Sequence, residues 1–134
     1  MTSKTIVRNL KPAGFPKSER MVSTKLTEEL FTSGQSKSLT AFPLRAVFLL
    51  SPGTPAVQVL ISVPKRKLRH AVDRNRVKRQ IREAYRRCRQ PLAEAVPDGQ
   101  CLLLAFVWMS DRPASSSSVD RSVRKLVSRI TEKQ

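Results

Sequence analysis

Arg74-Asn-Arg-Val-Lys-Arg-Gln-Ile-Arg-Glu-Ala-Tyr-Arg-Arg-Cys-Arg89 packs eight cationic side chains around one narrow apolar stripe, and its reading decides the fold around it. Successive helical residues lie about 100° apart, so Val77, Ile81, Ala84, Tyr85 and Cys88 fall within roughly a quarter of the circumference. That face is predicted to pack on a core. Arg74, Lys78 and Arg82 line one flank of the stripe, while Arg76, Arg79 and Arg86 point toward the opposite side with Asn75 between them. A helix made only for solubility would mix signs at i,i+4 spacing, because like charges on neighbouring turns repel. Here only Glu83 interrupts the run. From Lys65 to Arg89 twelve Lys or Arg stand against Asp73 and Glu83, a local balance of +10. Self-repulsion on that scale calls for an anionic partner.

The whole chain agrees. Its 134 residues hold 26 basic against 10 acidic side chains, a formal charge of +16, which in so small a protein points to nucleic acid. Hydrophobic residues make up 40% and recur in periodic blocks, so one compact domain is expected rather than a disordered basic tail. Cys88 and Cys101 lack the spacing of a zinc site and read as buried thiols. No apolar leader with a cleavage site and no run of about 18 apolar residues occurs, so a cytoplasmic location is expected, with no membrane association.

Upstream, Lys4, Arg8 and Lys11 with Pro12 and Gly14 predict a mobile basic extension over residues 1–14, with Phe15 anchoring its end and a single domain over 15–134. A short helix is predicted from a Ser23 or Thr24 cap to about Ser33, stopped by Gly34. Strands follow at Lys37 to Ala41, Leu44 to Ser51 and Val57 to Val63, expected to form an antiparallel meander. Leu44, Ala46, Phe48 and Leu50 share one face, as do Val57, Val59, Ile61 and Val63, leaving Arg45, Gln58 and Ser62 on a partly polar face open to a ligand. The basic loop Lys65 to His70 leads into the long helix, which Pro91 is predicted to end. Leu102 to Met109 reads as a buried strand in the middle of the sheet. A serine-rich loop then offers Ser117, three residues before Asp120, as cap of a last helix whose Val119, Val123, Leu126, Val127 and Ile130 face the core. The order is α-β-β-β-α-β-α, an α+β domain with its helices on one side of a four-stranded sheet.

Ile61-Ser-Val-Pro-Lys65 followed by Ala71-Val-Asp-Arg-Asn-Arg-Val-Lys-Arg-Gln-Ile-Arg-Glu-Ala-Tyr85 resembles the signature of the bacterial ribonuclease P protein subunit. Phe15-Pro-Lys-Ser-Glu-Arg20, Glu28-Glu-Leu-Phe31 with Gly34, and Pro43-Leu-Arg45 extend the resemblance over roughly Phe15 to Ile130. It implies an α/β sandwich resembling ribosomal protein S5 domain 2, with a left-handed β-α-β crossover that general preference would not suggest. It also implies the activity of an endoribonuclease that removes the 5′ leader of precursor tRNA. In that ribonucleoprotein the RNA subunit performs the hydrolysis with Mg2+, and neither a cofactor nor a metal is implied for the protein itself. The residues agree with such a division of labour. No paired-carboxylate cluster is present, and the sole histidine, His70, has no evident acidic or nucleophilic partner, so no catalytic residue is expected.

By motif position, the resemblance assigns Arg76, Arg79, Arg86 and Asn75 to the RNA subunit. It assigns Arg74, Lys78, Arg82, Ser62, Phe31 and Arg45 to a cleft for the single-stranded leader, with Lys65, Arg66 and Lys67 as further basic contacts. Partners would be ribonuclease P RNA and precursor tRNA, with no DNA. The chain departs from many relatives at Thr27, where they carry an aromatic one turn before Phe31, and at Pro64, where a small polar residue is often found. Two other readings share the high charge and the arginine helix: a ribosomal or ribosome-assembly protein, and a DNA-binding domain that inserts residues 74–89 into a major groove. The ordered motif separates the first, and the lack of a preceding helix-turn-helix partner disfavours the second.

Overall fold

A computed structural model describes residue 30 and residues 34–53 and 56–133. Over these the order is β1 (Lys37–Ala41), β2 (Leu44–Pro52), β3 (Val57–Ser62), α1 (Ala71–Ala95), β4 (Gln100–Trp108) and α2 (Ser116–Glu132). The predicted first helix, apart from Leu30, and the N-terminal extension with Phe15 lie outside the described residues. The strand positions hold to within two residues at each end.

The expected meander does not form. The sheet order is β1-β2-β4-β3, with β1 and β4 both antiparallel to β2, and β3 parallel to β4. The reason lies in β4, Gln-Cys-Leu-Leu-Leu-Ala-Phe-Val-Trp, in which Cys101 through Phe106 are all buried. A strand apolar on both faces must be covered on both and flanked on both edges, so it displaces β3 from β2 and takes the central place. β3, α1 and β4 thereby make a parallel β-α-β unit. A turn precedes β4, where Gly99 adopts φ +80° and Gln100 N–H donates to the Pro97 carbonyl at 3.1 Å. Glycine takes that left-handed conformation without steric cost.

The second and third predicted helices, α1 and α2, share one sheet face. Leu44, Ala46 and Phe48 of β2, Val57 and Val59 of β3, and Leu102, Leu104, Phe106 and Trp108 of β4 form one core with the stripes of α1 and α2. Tyr85 meets Phe106 edge to face at a centroid distance of 6.0 Å. The opposite face carries a second, smaller cluster of Val47, Leu49, Cys101, Leu103 and Ala105, and Leu30 packs there. The one described residue of the predicted first helix therefore sits across the sheet from α1 and α2.

Two helix ends differ from expectation. α1 runs through Pro91 to Ala95. Proline in a helix interior removes one hydrogen bond and costs about 3 kcal/mol. Beyond it, however, Leu92 and Val96 are buried in the core, and a fully buried aliphatic side chain returns about 1.5–3 kcal/mol. The stripe outweighs the break. The last helix starts two residues earlier than predicted, because Ser115 rather than Ser117 is the cap: its Oγ accepts the Ser118 N–H at 3.2 Å. Extended backbone at Ser115 aims that hydroxyl at the free amides of the first turn. Gln80 of α1 locks this junction by donating to the Ala114 carbonyl and the Ser116 hydroxyl at 3.2 and 3.1 Å.

Replacing exposed Pro91 with alanine restores an amide donor to α1 and disturbs no core contact. The Pro91→Ala protein is expected to be more stable by about 1 kcal/mol or more, a rise of a few degrees in Tm. An unchanged or lower Tm by calorimetry would show that the proline sits there without cost. The cysteines allow a second test. Burial pushes the Cys88 and Cys101 thiols from 9.0 up to about 11. The folded state thus keeps its two protons to higher pH than the unfolded chain. Their contribution to stability is intact below pH 9 and is lost as pH rises toward 11. At pH 8 only about one thiol in a thousand is ionised, so a disulfide reagent should label the native protein slowly and the denatured protein at once. Fast stoichiometric labelling of the native chain at pH 8 would contradict the burial.

Candidate nucleic-acid interface

The interface is built on α1. Val77, Ile81, Ala84 and Tyr85 are buried, so the helix cannot rotate without exposing them, and its polar residues are fixed in direction. α1 packs beside β3 at one end of the sheet, whereas α2 covers β1 and β2. Gln80, bonded to residues 114 and 116, marks the side of α1 that faces α2. Arg74, Lys78 and Arg82 lie on the other side of the stripe, toward the free edge of β3. Arg76, Arg79 and Asn75 are exposed on the outer surface of α1. The sequence wheel's two basic edges are therefore two surfaces, one along the open sheet edge and one facing outward.

The cations differ in how far they are already engaged. One Nη of Arg74 donates to the carbonyls of Leu68 and Arg69, each at 2.9 Å, which clamps the preceding loop to the helix. That loop is tightened further by Lys67 and Leu68 N–H groups donating to the Pro64 carbonyl, and Leu68 is its buried anchor. Lys65 and Arg66 stand exposed on it, and Lys67 is half-buried. Arg86 pairs with Glu83, and Arg87 lies 3.4 Å from the same carboxylate. The Arg86 hydrogen bond holds the Glu83 carboxyl below its ordinary range despite some desolvation. Among the described residues, Arg76, Lys78, Arg79 and Arg82 have neither a hydrogen bond nor an ion pair. No described residue therefore offsets their charge. His70 occupies the N-cap of α1, exposed and without a capping bond from its side chain.

Arg45 and Ser62 fall into one row across the sheet. Val107 of β4 pairs with Arg45 on one side and with Ser62 on the other, and Thr40 lies beyond Arg45. This row is on the face turned away from α1 and continues the cluster around Leu30. Arg45 and Ser62 are thus brought together, but Lys78 and Arg82 can approach them only around the free edge of β3. Sequence reading missed Val107, the half-buried link between the two, because uniform hydrophobicity in β4 hides which side chains alternate outward. Phe31 lies outside the described residues. Among the described residues no group of three or more His, Cys, Asp or Glu is placed to hold a metal ion, and no helix is long and apolar enough to cross a membrane.

The profile of the Ribonuclease P family matches residues 15–131. The ribonuclease P protein component of Porphyromonas gingivalis is 37% identical over 121 residues, which cover 87% of this chain and 86% of that one. Among solved structures, the RNase P protein of Staphylococcus aureus superimposes with a TM-score of 0.66 at 16% identity, covering 87% of this chain and 97% of that one. The RNase P protein of Thermotoga maritima gives 0.60 at 22% identity, with 84% and 97% covered. These two likenesses establish the mixed α+β fold. With the profile spanning nearly all of the chain and a relative of matching length above 30% identity, the chain belongs to the family of ribonuclease P protein components.

Proposed function

We propose that this chain serves tRNA 5′ processing as the non-catalytic protein of a ribonucleoprotein, binding both the catalytic RNA and the leader of precursor tRNA. The observation that carries the reading is the pair of basic surfaces on α1, fixed in direction by a buried stripe and including four cations that none of the described residues neutralises. The outward surface, Arg76 and Arg79 with Asn75, takes the phosphates of ribonuclease P RNA. Arg86 assists there with the part of its guanidinium that Glu83 leaves open. Lys78 and Arg82, with Arg74 behind them, line the route around the β3 edge by which a single-stranded leader passes toward Ser62 and Arg45, and Phe31 is assigned to the same leader by its motif position alone. Lys65 and Arg66 extend the basic field from the loop, with Lys67 beside them. Phosphate contacts supply affinity without reading sequence, which suits a protein that meets many different leaders.

In this reading hydrolysis belongs to the RNA subunit and its Mg2+, and the chain contributes the cations that hold RNA in place. Residues 1–14 act as a basic extension ahead of the domain, and the assembly works in the cytoplasm, away from membranes and DNA. The decisive assay mixes the purified chain with a bacterial ribonuclease P RNA and precursor tRNA at low magnesium. Cleavage is expected to rise well above that of RNA alone. No enhancement with RNA subunits of any structural class would sink the reading, and recovery of ribosomal RNA in pull-downs would favour a ribosomal role instead.

Arg82 separates the two surfaces. In the holoenzyme, Arg82→Ala is expected to weaken precursor tRNA binding by about 1 kcal/mol or more while leaving mature tRNA affinity nearly unchanged, because only the precursor supplies phosphates at that edge. Equal losses for both, at one salt and magnesium concentration, would assign Arg82 to the RNA subunit.

A further inference from the structure

A second basic feature lies away from the β3 edge. Where the β1–β2 turn meets the start of α2, a depression of about 420 Å³ is lined by Phe42, Arg112, Ser118, Arg121 and Lys125, with no acidic side chain among the described residues of its wall. Ser118, Arg121, Ser122 and Lys125 recur at i, i+3, i+4 and i+7, so one face of α2 supplies that side of the wall. Arg121 and Lys125 are exposed like charges one turn apart, an arrangement that weakens a helix unless an anion lies between them. Neither has a hydrogen bond or ion pair among the described residues, in contrast to Arg124 on the same helix, which pairs with Asp120 at 2.7 Å. Arg112 also lines the wall, although Asp111 stands 3.7 Å from it.

Phe42 gives the depression its second character. It is 70% exposed, an unusual position for a phenylalanine in a chain whose other large apolar side chains are mostly buried. Its place is nevertheless fixed. Buried Ser122 donates its Oγ proton to the Phe42 carbonyl at 3.3 Å, and Met109 N–H donates to the Pro43 carbonyl at 2.8 Å. An aromatic ring anchored by its backbone beside two unpaired cations offers a stacking surface and a phosphate site together, which is the chemistry of a single-stranded nucleotide site. The depression borders α1, since Gln80 bonds Ala114 in its wall, and Arg76 lies one turn before Gln80.

We infer that the Phe42–Arg121–Lys125 depression binds an unpaired RNA nucleotide, the base on Phe42 and its phosphates between Arg121 and Lys125. This rests on the RNA-binding role proposed above and adds to it a surface built from α2 and the β1–β2 turn. The nucleotide comes either from the catalytic RNA or from precursor tRNA, and two titrations tell them apart: the chain with ribonuclease P RNA, and the assembled holoenzyme with precursor tRNA. In one of them, Arg121→Ala with Lys125→Ala should lower affinity about tenfold. It should also flatten the salt dependence by about 1.4, at roughly 0.7 for each single-strand phosphate that is no longer neutralised. Phe42→Ala should lower the same affinity at least about fivefold with an unchanged salt slope, and Phe42→Trp should restore it. All three residues are exposed, and equal Tm values check that the variants fold. Unchanged affinity and slope in both titrations would overturn the inference. Arg76→Ala with Arg79→Ala is the control: if that pair weakens RNA binding and the α2 pair does not, only the depression is excluded, whereas silence of both pairs also removes the role assigned to α1.

Discussion

The architecture depends on burying one strand on both sides. Because Cys101 to Phe106 exclude water on both faces, β4 has to lie between β2 and β3, and that place requires a crossover from β3 rather than a hairpin. The crossover is α1. The most basic segment of the chain is thus also the connection without which the central strand could not reach its place. Its stripe seals one face of β3 and β4, and the smaller cluster with Leu30 helps seal the other.

Charge is distributed on this frame unevenly. A helix carrying so many cations is poorly suited to stand alone, and its own structure relieves little of the repulsion: Glu83 serves Arg86 and Arg87, and Arg74 turns back onto two loop carbonyls. Those interactions organise the two ends of the motif. The cations between them pair with none of the described residues, and at a surface such a pair would contribute little in any case. Hydrophobic anchoring fixes where they point, and electrostatics decides what they attract.

Much of this was legible in the sequence, for identifiable reasons. The period of Val77, Ile81, Ala84 and Tyr85 specified both the helix and its buried face, and alternation in β2 and β3 specified which residues face the helices. Strand pairing was not legible, because proximity along the chain favours β2 with β3 and only the two-sided apolarity of β4 argues otherwise. Pro91 misled, since its local cost is plain in sequence while the compensating burial of Leu92 and Val96 is a tertiary fact. Of the basic residues, sequence located the edges of α1 but not the separation of Arg45 and Ser62 from Lys78 and Arg82 by the sheet itself. Nor did it single out Phe42, whose significance comes from exposure and not from any motif.

The central position of β4 also sets an order of events during synthesis. Until residue 108 has left the ribosome, β2 is unpaired on one side, β3 has no sheet partner, and α1 has no complete surface on which to lay its stripe. The chain therefore presents its basic segment to whatever RNA surrounds it before it owns a closed core. Non-local pairing of this kind is slow to form and leaves apolar strand edges open meanwhile. A newborn molecule of this protein is for a short time a polycation with a fold still to come, and only β4 and α2, within about the last quarter of the sequence, turn it into a surface with a fixed shape.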